Sequence, residues 1–175
     1  AVGHDAGNDL TTGVQNTLIG GLAGDALTDA DYNIAIGASA LGADTLGSMS
    51  VAIGHAALQT QNFTTATNAY NVAVGKDAGT LVTTGIQNTI MGGQAADALT
   101  VGRYNTAIGG GGALGYDQAG DYSTAIGYGA LVTQRSDSTN QAVYNTAVGA
   151  NAGNALTTGI QNTFVGGLAG ANSAI

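Results

Sequence analysis

The sequence predicts an all-β fold, a single elongated parallel β-solenoid of about ten rungs. Three observations predict it. First, the phrase Asn105-Thr106-Ala107-Ile108-Gly109 recurs ten times, with closing glycines at Gly3, Gly20, Gly37, Gly54, Gly75, Gly92, Gly109, Gly127, Gly149 and Gly166. Those glycines are spaced 17–22 residues apart. A unit that short cannot bury its own apolar face and must stack on the next. Second, the chain has 30 glycines and no proline, and all eleven of its acids are Asp. Asp and Asn bond the nearby backbone in turns, whereas Glu, absent here, favours helices. Third, each phrase alternates β-branched with small residues before a glycine, the mark of a short strand.

Composition closes several functional classes. The 175 residues carry a net charge of −8, with Lys76, Arg103 and Arg135 the only strong bases. Three scattered cations do not neutralise a phosphate backbone, so no nucleic-acid partner is expected. An anionic lipid surface is disfavoured for the same reason, and no apolar run approaches the roughly 20 residues that span a bilayer. With no cysteine there is neither a disulfide framework nor a thiolate metal site. The chain opens inside a unit at Ala1-Val2-Gly3, and its last four residues, Asn172-Ser173-Ala174-Ile175, read as the start of an eleventh. It is therefore expected to be a piece of a longer array.

In chain order the units form a single array, residues 1–175, with a higher repeat of four: super-repeats 3–74 and 75–148 and a partial third, 149–175. The first type runs Gly3-His4-Asp5-Ala6-Gly7 and returns from Gly75 and Gly149. The second begins with Gly20-Gly21 and returns at Gly92-Gly93 and Gly166-Gly167. The third and fourth place Ala-Leu after the glycine, as in Ala40-Leu41 and Ala57-Leu58. The fourth is longer by four or five residues, and its extra residues are polar. They are expected to bulge as loops, either for recognition or as tolerated insertions. Asn62, Phe63, Thr64, Arg135, Ser136 and Asp137 are the candidate ligand-contact residues there.

Within the phrase, positions one and three face one side and positions two and four the other. Position four is always bulky and aliphatic, from Val2 to Val165, and is expected to be the coil's core. Position three is also always apolar, so the other face needs a cover. Leu18, Ala35, Ala52, Ala73, Ile90, Ala107, Ala125, Ala147 and Phe164 are therefore the candidate oligomer interface. The larger Leu18, Ile90 and Phe164 precede the Gly-Gly pairs, which are expected to make room for them. Position one is Asn in seven of nine complete units and Ser at Ser50 and Ser123. It suits either an amide ladder along the axis or the turn before each strand. Tyr32, Tyr70, Tyr104, Tyr122 and Tyr144 precede position one, as an exposed aromatic stripe or as corner packing.

The search for chemistry finds little. His4 and His55 lie three rungs apart, about 14 Å along the axis, too far to share a metal. The acidic pairs Asp29/Asp31 and Asp117/Asp121 suit weak Ca²⁺ at best and solvated turns better. Residues 109–112 are four consecutive glycines, but no Gly-Lys-Ser/Thr follows to make a phosphate loop. No catalytic, cofactor or metal site is expected, and no enzyme.

Asn145-Thr146-Ala147-Val148-Gly149 with its trailing Leu156-Thr157-Thr158-Gly159, and Ser50-Val51-Ala52-Ile53-Gly54, resemble the YadA-like head repeats of trimeric autotransporter adhesins. They are also similar to the β-roll repeats of phage tail-fibre shafts. The resemblance covers essentially the whole chain. It implies a left-handed β-roll, three chains side by side, and an extracellular location on a cell surface, filament or virion fibre. The rungs here are longer than that adhesin head's usual unit. The function expected is a non-catalytic structural or adhesive fibre segment, with axial stacking and a glycan or host-surface ligand as partners. A tail-fibre shaft or receptor-binding segment is the alternative. Two rivals rank lower: a hexapeptide-type acyltransferase, on Ile36-Gly37-Ala38-Ser39-Ala40-Leu41, and an ice-binding solenoid, on the threonines of position two. Ile34, Val51 and Val72 interrupt that threonine column, and the facing argument turns it inward.

Overall fold

The computed structural model describes residues 1–136 and 138–172; Asp137 and the last three residues of the expected eleventh unit lie outside them. The described residues contain no helix. The chain is a parallel β-solenoid. Nine three-residue strands form one sheet: β1 (Thr17–Ile19), β2 (Ile34–Ile36), β4 (Val51–Ile53), β6 (Val72–Val74), β7 (Thr89–Met91), β8 (Thr106–Ile108), β10 (Thr124–Ile126), β12 (Thr146–Val148) and β13 (Thr163–Val165). Each pairs in parallel with the next at the same phrase position, as Ala35 with Ala52 and Ala107 with Ala125. Val2 bridges to Ile19 and extends the sheet by one rung. Two smaller parallel pairs stand beside it: β3 (Gly47–Ser48) with β5 (Thr67–Asn68), and β9 (Gly120–Asp121) with β11 (Gln141–Ala142).

The closing glycine sets the pitch. At Gly54 φ is 136°, open to glycine alone, and a Cβ there would come within 3.0 Å of the Gly75 backbone one rung on. At two of the remaining corners left-handed backbone falls mostly on residues that are not glycine. The second residue after the closing glycine (Leu22, Ser39, Asp77) and the residue before position one (Tyr32, Met49, Tyr104) both have φ near +60°. Such conformations are uncommon outside glycine, and inter-rung hydrogen bonds hold them, as from Tyr104 N to Ile86 O at 3.1 Å.

The alternation of faces is as the phrase predicts, but the faces are exchanged. Position three is the coil's own core. Leu18, Ala35, Ala52, Ala73, Ile90, Ala107, Ala125 and Ala147 are buried within one chain, and Phe164 is partly buried against them. They are not available to a partner. Position four, expected inside, points outward. Ile19 is 42 % exposed and Met91 41 %. Size misled the reading, because bulk is no guide to burial. The interior is already filled from across the coil by Leu41, Leu58, Leu114 and Leu131, so most of position three must be Ala. Leu18, Ile90 and Phe164 fit because their own rungs carry Gly24, Ala96 and Gly170 where the third and fourth rung types carry Leu. Gly79 and Gly153 in the adjoining rungs also lie against Ile90 and Phe164. The Gly-Gly pairs face away and make no room.

Candidate functional site

Three features stand out from the stacked coil: a buried polar column, an outward flat face, and the corner that carries the long loops.

The polar column is position one. Asn33, Asn71, Asn88, Asn105 and Asn145 are buried. Each Oδ1 accepts the position-one N–H of the next rung, as Asn88 N to Asn71 Oδ1 at 2.9 Å and Ser123 N to Asn105 Oδ1 at 2.8 Å. Each Nδ2 donates to a carbonyl ahead, as Asn33 to Gly47 O at 2.8 Å. The ladder runs mainly from amide to backbone, joining the turn and ladder readings. A buried amide is stable only when satisfied in this way.

Where position one is Ser, a second buried column supplies the missing amide. The seventh residue after the closing glycine is apolar in most rungs (Leu10, Leu27, Val82, Leu99, Leu156). In the third and fourth rungs of each super-repeat it is Asp44 then Gln61, and Asp117 then Gln134, with Asp117 displaced by one inserted glycine. Gln61 Nε2 donates to Asp44 Oδ2 at 2.6 Å and to Ser50 Oγ at 3.0 Å, and its Oε1 accepts from Asn71 Nδ2 at 2.8 Å. Gln134 does the same with Asp117, Ser123 and Asn145. Asp44 Oδ1 also accepts the N–H of Phe63, and Asp117 Oδ1 that of Ser136, each at the start of a long loop. The two buried carboxylates therefore fix where the loops leave. The sequence signal was an Asp and a Gln in an otherwise leucine column.

The long-loop residues divide. Asn62, Thr64 and Arg135 are exposed, whereas Phe63 and Ser136 are buried; Asp137 lies outside the described residues. The expectation of wholly polar, bulging insertions is thus corrected: each loop begins as an anchored piece of core. Beside the second loop lies an open groove of about 540 Å³, lined in part by Thr100, Val101, Tyr116, Gln118, Arg135 and Ser136. The Arg135 guanidinium stands 5.8 Å from the centre of the Tyr116 ring.

The tyrosines form an exposed stripe. Tyr104, Tyr122 and Tyr144 stack with centroids 4.8 and 5.0 Å apart and planes within 17°. That spacing is the rung height itself. Burial between its neighbours pushes the Tyr122 hydroxyl above its ordinary pKa.

His4 and His55 are on the surface, each beside an Asp. Lys76 hydrogen-bonds Asp77 and, with His55 close by, holds its carboxyl below the usual range. The acidic pairs, expected in solvated turns sooner than as Ca²⁺ ligands, divide: Asp29 is exposed and Asp31 half-buried, whereas Asp117 and Asp121 are buried, which corrects the solvated reading for them. Asp29 accepts from Thr12 Oγ1, Asp31 from Val14 N, Asp121 from Arg103 N, and Asp117 is in the buried column. Among the described residues no group of three or more His, Cys, Asp or Glu is placed to hold a metal.

The flat face is the outward side of the nine-stranded sheet, two side chains per rung. Position four contributes the aliphatic rank. Position two contributes Thr17, Ile34, Val51, Val72, Thr89, Thr106, Thr124, Thr146 and Thr163. Neither rank holds a charged residue. No protein-family model matches the chain, and neither a curated protein nor a solved structure does.

Proposed function

We propose that the chain is a non-catalytic segment of an extracellular fibre whose copies pack against one another through the flat face. One observation carries this reading: two charge-free ranks of Thr, Val and Ile with a single Met, in register, run the length of the coil on its outer side. Monomeric proteins rarely leave so long an apolar strip in water. Ten rungs at about 4.8 Å give a strip about 48 Å long. Three-residue strands make it about 10 Å wide, so the strip alone presents about 480 Å², and the roughly 800 Å² per partner of a stable interface takes in its flanking residues as well. The expectation of a partner chain is carried over to this face, with positions two and four in place of position three. A trimer is the assembly that the resemblance implies.

Ile53→Lys with Ile108→Lys tests it, because both side chains point outward and leave the coil's core alone. Sedimentation equilibrium is expected to show a defined oligomer for the parent chain and a monomer, with unchanged circular dichroism, for the variant. A parent chain monomeric at micromolar concentration sinks the reading.

A second reading gains from the same reversal of faces. The threonine column points outward rather than to a core, on a flat lattice, which is what binding to an ordered water surface such as ice requires. It predicts that the parent chain suppresses ice recrystallisation and that Thr106→Lys with Thr124→Lys abolishes the effect. No suppression by a monomeric chain removes this reading.

A further inference from the structure

The flat face is too narrow by itself for a stable contact, and its two flanks are unlike. On the flank where each strand begins, the residue before position one is Tyr in five rungs: Tyr32, Tyr70, Tyr104, Tyr122 and Tyr144. These residues are 40–51 % exposed, and the last three rings repeat at 4.8 and 5.0 Å, the rung height. A whole aromatic side chain buries roughly 150–250 Å², so the five exposed parts add on the order of 400 Å² to the strip. That addition brings the surface to the roughly 800 Å² per partner of a stable interface.

The flank where each strand ends is the reverse. The residue after the closing glycine is Gly or Ala in six of the ten rungs: Gly21, Ala38, Gly93, Gly110, Ala150 and Gly167. Nothing inside the coil requires glycine there. None of these four glycines has a left-handed φ, and a Cβ added to any of them would meet nothing nearer than 3.7 Å. The tyrosine ridge and this low edge border the same face.

Building on the self-association reading above, we propose that the tyrosine stripe docks on the Gly/Ala edge of a second copy running in the same direction. Two flat faces pressed together admit two polarities. Parallel coils bring the tyrosine ridge of each over the low edge of the other. Antiparallel coils set ridge on ridge and low edge on low edge, which wedges the faces apart along one side and loses complementarity. Matched rung by rung, the parallel pairing places Tyr32 at Ala38, Tyr104 at Gly110 and Tyr144 at Ala150. Tyr70 meets Lys76, a cation that suits a ring face, and Tyr122 meets Tyr128. The repeat distance selects the partner. Rings one rung apart find an equivalent neighbour each time only on a body of the same rise, which a second copy has.

The chain has no cysteine, so an introduced pair reports the contact directly. Tyr104→Cys with Gly110→Cys puts one thiol on each edge of a single rung. Within one chain the intervening strand holds them roughly 15–20 Å apart, beyond the Cα separation of about 4.4–6.8 Å that a disulfide spans. Oxidation therefore links copies only. The pair is expected to run as covalent oligomers on a denaturing gel, and each single variant as a monomer. Linkage by either single variant, or none by the pair, overturns the proposal. Gly93→Leu with Gly110→Leu fills the low edge from outside the coil. It is expected to keep the parent's circular dichroism and to weaken association in sedimentation equilibrium by about tenfold or more. Unchanged association overturns this inference and leaves the flat-face reading, which Ile53→Lys with Ile108→Lys tests, in place; a monomeric parent chain removes both. If the leucine variant fails to fold, the cysteine pair decides alone.

Discussion

The two super-repeats share a backbone plan and differ in what they expose. Both place a buried Asp and Gln beneath a position-one Ser, both hang a long loop from that carboxylate, and both use tyrosine at the corner. The first block then closes over itself: Phe63 is buried, and the tyrosine column is interrupted, Tyr32, Met49, Tyr70. The second leaves a groove and stacks Tyr104, Tyr122 and Tyr144 without a break. Duplication preserved what holds the coil together and released what faces solvent. A buried polar group tolerates no loss of its partner, whereas an exposed position tolerates nearly anything.

The largest effect is expected where the blocks agree. Asp44→Ala or Asp117→Ala each strips Gln and loop N–H groups of their acceptor in a dry interior, while Gln61→Leu or Gln134→Leu takes the amide donor from a buried carboxylate that keeps only its loop donors. Each single change is expected to cost about 3–5 kcal/mol in chemical denaturation, and the matched changes in the two blocks to cost the same. Asp44→Leu with Gln61→Leu restores the leucine column of the neighbouring rungs. It is expected to cost less than either single change, which a double-mutant cycle reads directly. Unequal costs in the two blocks would show that the loops, and not the polar pair, carry the difference.

Next in size comes the exchange of Phe63 for Ser136. Phe63→Ser removes a buried ring from the first block and is expected to cost about 3 kcal/mol or more by thermal unfolding. In the second block Val143, where the first has Ala69, stands against Gly120 as Phe63 stands against Gly47, so Ser136→Phe overpacks the site and is expected to cost about 1–3 kcal/mol. Ser136→Phe with Val143→Ala is expected to recover most of that loss, and no recovery would mean that Val143 is not the counterpart of the Phe63 ring.

A smaller exchange concerns the stripe. Met49 and Tyr122 are matched residues, so Tyr122→Met breaks the three-ring stack and Met49→Tyr creates one in the first block. Each is expected to move stability by about 0.5–1 kcal/mol, in opposite directions. Both residues sit at φ near +60°, so the backbone term cancels between them.

Much of this was legible in the sequence, but not the sense of the faces. The rung count, the strand positions and the four-rung block follow from glycine spacing alone, because a Gly whose Cβ would strike the next rung cannot be replaced. The direction of the strand was not legible from bulk. Ile and Val at position four look like core, and only the Asn at position one, which needs buried partners, betrays the inward side. Asn suits a turn before a strand as readily as a ladder, so by itself it does not outweigh the bulk of position four. The loop residues were singled out by length. That Phe63 and Ser136 would be buried while Arg135 is not depends on Asp44 and Asp117, whose partners lie a whole rung away in sequence. The groove is a tertiary fact of the same kind.

The smallest expected effect is electrostatic and again contrasts matched residues. In the first block Asp31 N donates to Ser48 Oγ at 2.9 Å. In the second, the matched Arg103 N donates to Asp121 Oδ1 at 2.8 Å, so a neutral acceptor has been exchanged for a carboxylate. Burial raises the Asp121 pKa, with the Asp117 charge adding to it, and the Arg103 N–H and guanidinium oppose the rise without cancelling it. Between the unfolded value and this raised one, the folded chain holds a proton that the unfolded chain has released. Stability contributed by Asp121 is therefore full below the ordinary carboxylate pKa and declines as pH rises through the folded value. Asp121→Ser, which copies the first block, removes that decline. Melting temperatures of parent and variant are expected to diverge in the variant's favour as pH rises from the ordinary carboxylate range towards neutrality, and to run parallel above. Asp77 has the opposite sign, since Lys76 lowers its pKa, but it is common to both chains and drops out of the difference. A constant gap across the titration would mean that this carboxylate is no harder to ionise in the folded chain than in the unfolded one.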